Sequence, residues 1–263
     1  MGLNFPNRVG VAGGLDKNAN YFHILGKLGF GFVEVGTITP LKQHGNPKPR
    51  VFRLEEDEAL INRLGFNNSG ADLIQSRIRL NPPKGLFGIN IGPNKDTKNR
   101  VEDYLIGVRK FYDLADYLTI NISSPNTENL RSFHNENELN ELLDAIKKEK
   151  ENLKTSIPTV LKISPDINDK EIEKISSLIL KYSISSIIIS NTSDRTRDIL
   201  KNINKLEKGG LSGKPIEQKS NIIINKCWFH ISSFRLCDCC ILWSLNCRDT
   251  WCFMGLDCHC IWC

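Results

Sequence analysis

The sequence predicts an α/β fold: a (β/α)8 barrel, incomplete here, with about six βα units legible and an aberrant tail. Three observations predict it. Short β-branched apolar runs alternate with helical stripes throughout residues 9–226. The suggestive polar side chains Lys17, Thr37, Asn90, Ser124, Lys162 and Asn191 all fall at the C-terminal ends of those runs. A barrel mouth collects such residues after every strand, whereas a doubly wound sheet gathers them near one switch point. The chain has 263 residues, enough for one large core.

The elements follow in order. Residues 9–12 read as a first strand that ends in Gly13, Gly14 and Lys17, two glycines allowing close backbone approach to a ligand. Phe22, Leu25 and Leu28 have helical spacing, and a second strand over 32–35 ends in Gly36 and Thr37. A long excursion follows, with a predicted hairpin of 51–54 and 59–62; its length suits a lid or binding loop. Leu73, Ile74 and Ile78 fit a helix. A third strand spans 86–91, and Val101, Tyr104, Leu105, Val108 and Tyr112 form the next helical stripe. Leu139, Leu142, Leu143 and Ile146 give another helix, acidic early and basic late, as its dipole favours. The fifth strand is 158–163. Asn168 can cap a helix bearing Ile172, Ile175, Leu178 and Ile179. The sixth strand is 185–190. Gly209–Gly213 reads as a loop leading into a helix with Pro215 in its first turn and Ile216, Ile223 and Ile224 on its buried face.

The fourth strand organises the rest. Tyr117, Leu118, Thr119, Ile120 and Ile122 suit a buried parallel strand, and it breaks at Ser123-Ser124-Pro125-Asn126-Thr127. Asn121, Ser124, Asn126 and Thr127 are thereby presented above the sheet, an uncharged polar cluster suited to a small heteroatom-rich ligand. Ser124 reads equally as a base, a nucleophile or a turn former.

Composition excludes several classes. The net charge of +5 comes from dispersed Lys and Arg, a solvated surface rather than a nucleic-acid footprint. No apolar stretch approaches the roughly 18–20 residues of a spanning helix, and the first residues do not read as a signal peptide. His23, His44 and His134 lack paired spacing, so no metal site is expected among them.

The segments AGGLDKN (12–18), EVGTITP (34–40), INRLGFNN (61–68), INIGPNKDT (89–97), INISSPNTENLR (120–131), LKISPD (161–166), SNTSDR (190–195) and GGLSGKP (209–215) occur in this order. Together they closely resemble the dihydroorotate dehydrogenases, flavin enzymes of pyrimidine synthesis, from about residue 4 to about residue 226. The resemblance implies a (β/α)8 barrel holding FMN at its C-terminal face. The soluble class of the family uses a cysteine base and the membrane-associated, quinone-reducing class a serine. No Cys precedes Cys227, so Ser124 places the chain with the quinone class.

On this resemblance Ser124 removes the C5 proton of dihydroorotate while C6 passes a hydride to flavin, with Thr127 supporting the serine. Asn62, Arg63, Leu64, Gly65, Phe66, Asn121, Asn126, Asn191 and Thr192, with Lys17, bind substrate. Gly13, Gly14, Lys17, Thr37, Asn90, Asn121, Lys162, Ser190 and Gly213 line FMN, Lys162 stabilising the reduced ring. The expected partners are dihydroorotate or orotate and a quinone, with no nucleic acid. The family sits peripherally on a bacterial cytoplasmic or mitochondrial inner membrane.

Two implied parts have no visible counterpart. The sequence starts essentially at the first barrel strand, without the amphipathic N-terminal segment that meets the membrane in this class. All nine Cys and all four Trp lie within residues 227–263, a composition that flips at one residue. Residues 1–226 thus read as a partial barrel and 227–263 as an out-of-frame tail. The competing reading of the tail is a metal-binding segment, but its cysteines form no repeated C-x2-C pair. Loss of the last two strands is expected to leave the first and sixth with open edges and to weaken FMN binding and activity. Two alternatives stay open: a soluble-class enzyme with serine in place of cysteine, and a non-enzymatic barrel remnant that binds metal through its tail.

Overall fold

The computed structural model describes residues 1–127, 130–195 and 197–234, together with the backbone of two later strands. In chain order the strands are β1 (Val9–Val11), β2 (Val33–Ile38), β3 (Val51–Leu54), β4 (Ala59–Asn62), β5 (Phe87–Ile91), β6 (Tyr117–Asn121), β7 (Thr159–Ile163), β8 (Ser186–Ile189), β9 (Gly210–Gly213), β10 (Ile241–Trp243) and β11 (Cys252–Met254). The helices are α1 (Phe22–Lys27), α2 (Ala71–Leu80), α3 (Arg100–Phe111), α4 (Glu136–Asn152), α5 (Asp169–Lys181) and α6 (Lys214–Phe234).

The six β-branched runs become β1, β2, β5, β6, β7 and β8, all parallel neighbours in one sheet of order β10-β8-β7-β6-β5-β2-β1-β11. Every residue of β2, β5, β6, β7 and β8 is buried, so both faces of the sheet are covered even where Glu34, Asn90, Thr119, Asn121 and Lys162 interrupt the apolar text. The result is an incomplete (β/α)8 barrel: a curled parallel sheet whose two end strands do not pair with each other among the described residues.

The predicted open edges are a point of difference. β10 runs parallel along β8, with Ile241 opposite Ser186, and β11 runs parallel along β1, with Cys252 opposite Val9. The text of these strands, ILW and CFM, is apolar and rich in strand formers, and pairing satisfies N–H and C=O rows that would otherwise face water. α6 also runs unbroken through the composition change after Lys226, with Cys227 and Ile231 buried beneath it.

Helical stripes account for the outer layer. Leu139, Leu142, Leu143 and Ile146 of α4 and Ile172, Ile175, Leu178 and Ile179 of α5 are all buried against the sheet, as are Ile223 and Ile224 of α6, while Ile216 is buried with Leu54, Ile61, Leu200 and Leu211. Asn168 closes a capping box with Glu171, satisfying donors at both ends of the first turn of α5. Two stripe positions fail: Leu28 and Leu73 face solvent, because α1 is only one and a half turns long and α2 turns its Ala71–Ile74–Ile78 edge inward.

The excursion does form the hairpin β3–β4, with Val51 opposite Asn62. Gly209–Gly213 differs from its predicted loop. β9 joins the hairpin as a third antiparallel strand, Gly210 opposite Asn62. A side chain at Gly210 would put its Cβ 1.8 Å from Thr192 Oγ1, so glycine is what lets this small sheet lie against the end of β8. At the opposite end of the barrel, Phe5 packs edge-on against Phe32 at 5.5 Å, next to Tyr117, Val160 and Ile188.

Candidate active site

The parallel strands point their C-terminal ends at one mouth, where buried polar groups converge. The chain of contacts starts at Glu34, fully buried in β2. Its Oε1 accepts from Asn90 Nδ2 at 2.8 Å and from the Gly13 amide at 3.2 Å, and its Oε2 accepts from Thr119 Oγ1 at 2.7 Å. A carboxylate can only accept, so Asn90 must turn its NH2 toward it and its oxygen toward Thr37. Thr37 Oγ1 donates to that oxygen at 2.7 Å and accepts from Asn121 Nδ2 at 3.0 Å. Asn121 Oδ1 in turn accepts from Ser123 Oγ at 2.7 Å, and Ser123 Oγ accepts from Asn191 Nδ2 at 2.8 Å. Asn191 Oδ1 takes the Thr192 amide at 2.8 Å. One directed chain of hydrogen bonds therefore crosses the mouth and fixes each amide's orientation. Asn121 is held a second way, its carbonyl accepting from the buried Tyr104 hydroxyl at 2.6 Å.

Ser124 lies directly beyond this chain, 5% exposed, its Oγ accepting from the Asn126 amide at 3.2 Å. Asn126 Nδ2 donates to Asn62 Oδ1 at 3.1 Å, which ties the β6 turn to the end of the hairpin. Asn46, on the excursion, reaches the Asn126 carbonyl at 3.4 Å, so the excursion walls the mouth. Lys17 and Lys162 are both buried, Lys17 in the segment after β1 and Lys162 in β7.

The structure thus brings together Gly13, Gly14, Lys17, Thr37, Asn62, Asn90, Asn121, Ser124, Asn126, Lys162, Ser190, Asn191 and Thr192 at the strand ends. Leu64 and Phe66 are buried beside them, and Gly65 takes a positive φ of 70° where a Cβ would lie 2.9 Å from the Asn46 side chain. Gly213 lies one element away, in β9. Arg63 is turned outward: it pairs with Glu207 at 2.6 Å and lies over the Phe52 ring at 4.6 Å. The predicted Thr127 support for Ser124 is not formed; Thr127 Oγ1 is buried without a hydrogen-bond partner among the described residues.

The fit to a ligand rests on such atoms. Thr127 Oγ1 and Thr192 Oγ1 are both buried and unpartnered among the described residues, at the ends of β6 and β8. Buried hydroxyls are rarely left so unless a ligand or water completes them. Asn121 and Asn191 each spend one N–H on the chain described above and carry a second. Donors, acceptors and buried cations of this kind suit a flat heteroaromatic ring such as flavin or a pyrimidine.

Sequence reasoning missed three groups. Glu34 was quoted within a motif but given no role; the available signal was a lone acid inside an apolar strand. Arg131 and Asp166 were likewise passed over. Asp166 accepts from Ser193 Oγ at 2.6 Å and pairs with Lys219 at 2.5 Å and Arg131 at 3.0 Å. Burial alone would raise this carboxyl, but the Lys219, Ser193 and Asp194 donors hold it well below the usual carboxylate range.

The dihydroorotate dehydrogenase family model matches residues 1–232. The chain belongs to the dihydroorotate dehydrogenase family. Among its relatives, the quinone-type dihydroorotate dehydrogenase of Nitrosomonas eutropha is 48% identical over 238 residues, covering 88% of this chain and 69% of that protein. The quinone-type enzyme of Buchnera aphidicola is also 48% identical, over 231 residues, covering 86% and 69%. A crystal structure of Eimeria tenella DHODH in complex with ferulenol superimposes with a TM-score of 0.84 at 36% identity, over 92% of this chain and 71% of that one. The chain therefore spans about 70% of the length of these proteins. No helix among its described residues is long and apolar enough to cross a membrane.

Proposed function

We propose that the chain oxidises dihydroorotate to orotate in pyrimidine biosynthesis, with FMN as the immediate acceptor and a quinone as the final one. The observation that carries the reading is the directed amide chain that runs through Ser123, the residue before Ser124, in a chain whose relatives are quinone-type dihydroorotate dehydrogenases. FMN, when bound, supplies the acceptor for the hydride leaving C6. Ser124 takes the C5 proton. A serine is a weak base at its ordinary pKa, so the proton must pass on, and Thr127 Oγ1 is the uncommitted oxygen in the same turn. Asn62, Asn121, Asn126 and Asn191, with Thr192, hold the pyrimidine by its edge without adding charge. Lys17 faces the substrate carboxylate, and the buried Lys162 offsets negative charge gathered on the redox ring. Gly13, Gly14, Thr37, Asn90, Ser190 and Gly213 complete the cofactor cradle. A Cβ at Gly13 would lie 2.7 Å from Glu34 Oε1 and 2.9 Å from Asn90 Nδ2, so any larger residue would push into the amide chain.

The test is anaerobic mixing of the FMN-supplemented full chain with dihydroorotate, followed by addition of decylubiquinone, fumarate or NAD. The quinone reading expects flavin bleaching and orotate formation that turn over with decylubiquinone alone. Turnover with fumarate or NAD instead favours the soluble class, and absence of bleaching refutes the enzyme reading. We also propose that residues after Lys226 are read out of frame. A nucleotide sequence around codon 226 that offers no shifted frame encoding a further glycine-ended strand overturns this.

A further inference from the structure

We propose that Arg131 is a positioning residue that locks the loop carrying Ser124 to the loop carrying Asn191 and Thr192. This rests on the functional reading above only for its consequence in catalysis. The guanidinium is one-fifth exposed and uses its whole fork. Nε donates to the Ser123 carbonyl at 3.1 Å, one residue before Ser124. Nη2 donates to the Thr192 carbonyl at 2.8 Å, one residue after Asn191. Nη1 pairs with Asp166 at 3.0 Å and with Asp194 at 2.9 Å.

Asp166 gives this fork a fixed anvil. It is buried at the end of β7 and is gripped from two further elements: Ser193 Oγ and the Asp194 amide at the end of β8, and Lys219 on α6. Three loops that follow three successive strands, β6, β7 and β8, are thereby joined through one planar cation. A bound pyrimidine touching Ser124 from one side and Asn191 from the other requires those loops to keep their spacing. Losses of about 1 Å in such spacing cost on the order of 100-fold in rate. A lysine at 131 keeps the charge opposite Asp166 but cannot reach two carbonyls and a carboxylate at once.

The test is backbone hydrogen exchange on the full chain and on Arg131→Lys, read by mass spectrometry. The expected result is that amides in 122–127 and 190–195 lose protection together, by about tenfold each, while α4 is unchanged. Asp194→Asn, which weakens one contact of the fork on a half-exposed residue, should loosen the same two segments to a smaller degree. Loss in one segment alone, no loss in either, or loss spread evenly into α4 in both variants overturns the proposal. In FMN-loaded protein, Arg131→Lys should slow bleaching by saturating dihydroorotate about 10–100-fold. Orotate affinity should change less than about threefold, and guanidinium ion added to Arg131→Ala should restore part of the rate. Equal losses in rate and affinity without rescue overturn the positioning role. Failure of the wild-type chain to oxidise dihydroorotate refutes the functional reading and leaves the exchange result to decide the Arg131 lock.

Discussion

Thr119 Oγ1 donates to Glu34 Oε2 at 2.7 Å, from the β6 strand to one that is not its neighbour in the sheet. The other carboxylate oxygen holds Asn90 of β5 and the Gly13 amide after β1. One carboxylate thus gathers four strands and sets the direction in which Asn90, Thr37 and Asn121 hydrogen bond. Glutamine can reproduce this. Its oxygen would accept from Asn90 and Gly13, and its NH2 would donate to Thr119, whose hydroxyl also accepts. Glu34→Gln is therefore expected to cost no more than about 1 kcal/mol, whereas Glu34→Ala strands three buried donors and should cost about 3–5 kcal/mol. Urea unfolding of both variants measures the difference; equal losses would mean that the carboxylate's acceptors do not organise the mouth.

The same residues show what was legible in the sequence. The strands were readable because short, mostly apolar and β-branched runs such as 117–122 recur between the helices, and the helices because α4 and α5 carry full stripes. Ser124, Asn121 and Asn191 were readable because they sit where those runs stop. Glu34 was not, since it looks from the sequence like one acid in an otherwise apolar strand. Arg131 and Asp166 lie 35 residues apart and meet only when β6 and β7 align. β9 was hidden for the opposite reason: glycine-rich text signals a loop, but here glycine serves a close approach to Thr192.

Ser124 is the base in the proposed reaction, and its removal separates chemistry from binding. Ser124→Ala deletes one hydroxyl that, among the described residues, accepts only the Asn126 amide, so folding and flavin content should be unchanged. Flavin bleaching by dihydroorotate should fall by about 100- to 10,000-fold, the range for losing a general base. Stopped-flow absorbance gives the rate, and undiminished bleaching from neutral to alkaline pH would dismiss Ser124 from the reaction.

His134 makes stability depend on pH. Burial, and then the nearby Arg131 guanidinium, lowers its pKa to about 4. The unfolded chain binds that proton near pH 6.5. A histidine with a lowered folded-state value contributes stability that is complete above the unfolded value and is lost as pH falls toward the folded one. Between pH 6.5 and about 4 the wild type should lose up to about 3 kcal/mol through this group. His134→Gln cannot titrate and should flatten that part of the urea-midpoint profile. Parallel profiles for the two proteins would assign the acid sensitivity elsewhere. Asp166, held below the usual carboxylate range, acts at lower pH: its contribution is present above the ordinary value near 4 and fades as pH drops below it.

β10 and β11 occupy the two edges that six parallel strands would otherwise leave open. Cutting the chain after Phe234 keeps α6 and removes both. The outward N–H and C=O groups of Ser186–Ile188 and Val9–Val11 then have no strand on that side, and these segments are short and able to pair with another molecule. Removing a strand from each edge should therefore favour edge-to-edge association more than it lowers the internal stability of the sheet, whose β2, β5, β6 and β7 neighbours are untouched. Light scattering across a dilution series should show self-association of the shortened chain at concentrations where the full chain shows less. Association that is equal in the two proteins would mean that the tail strands do not shield these edges in solution.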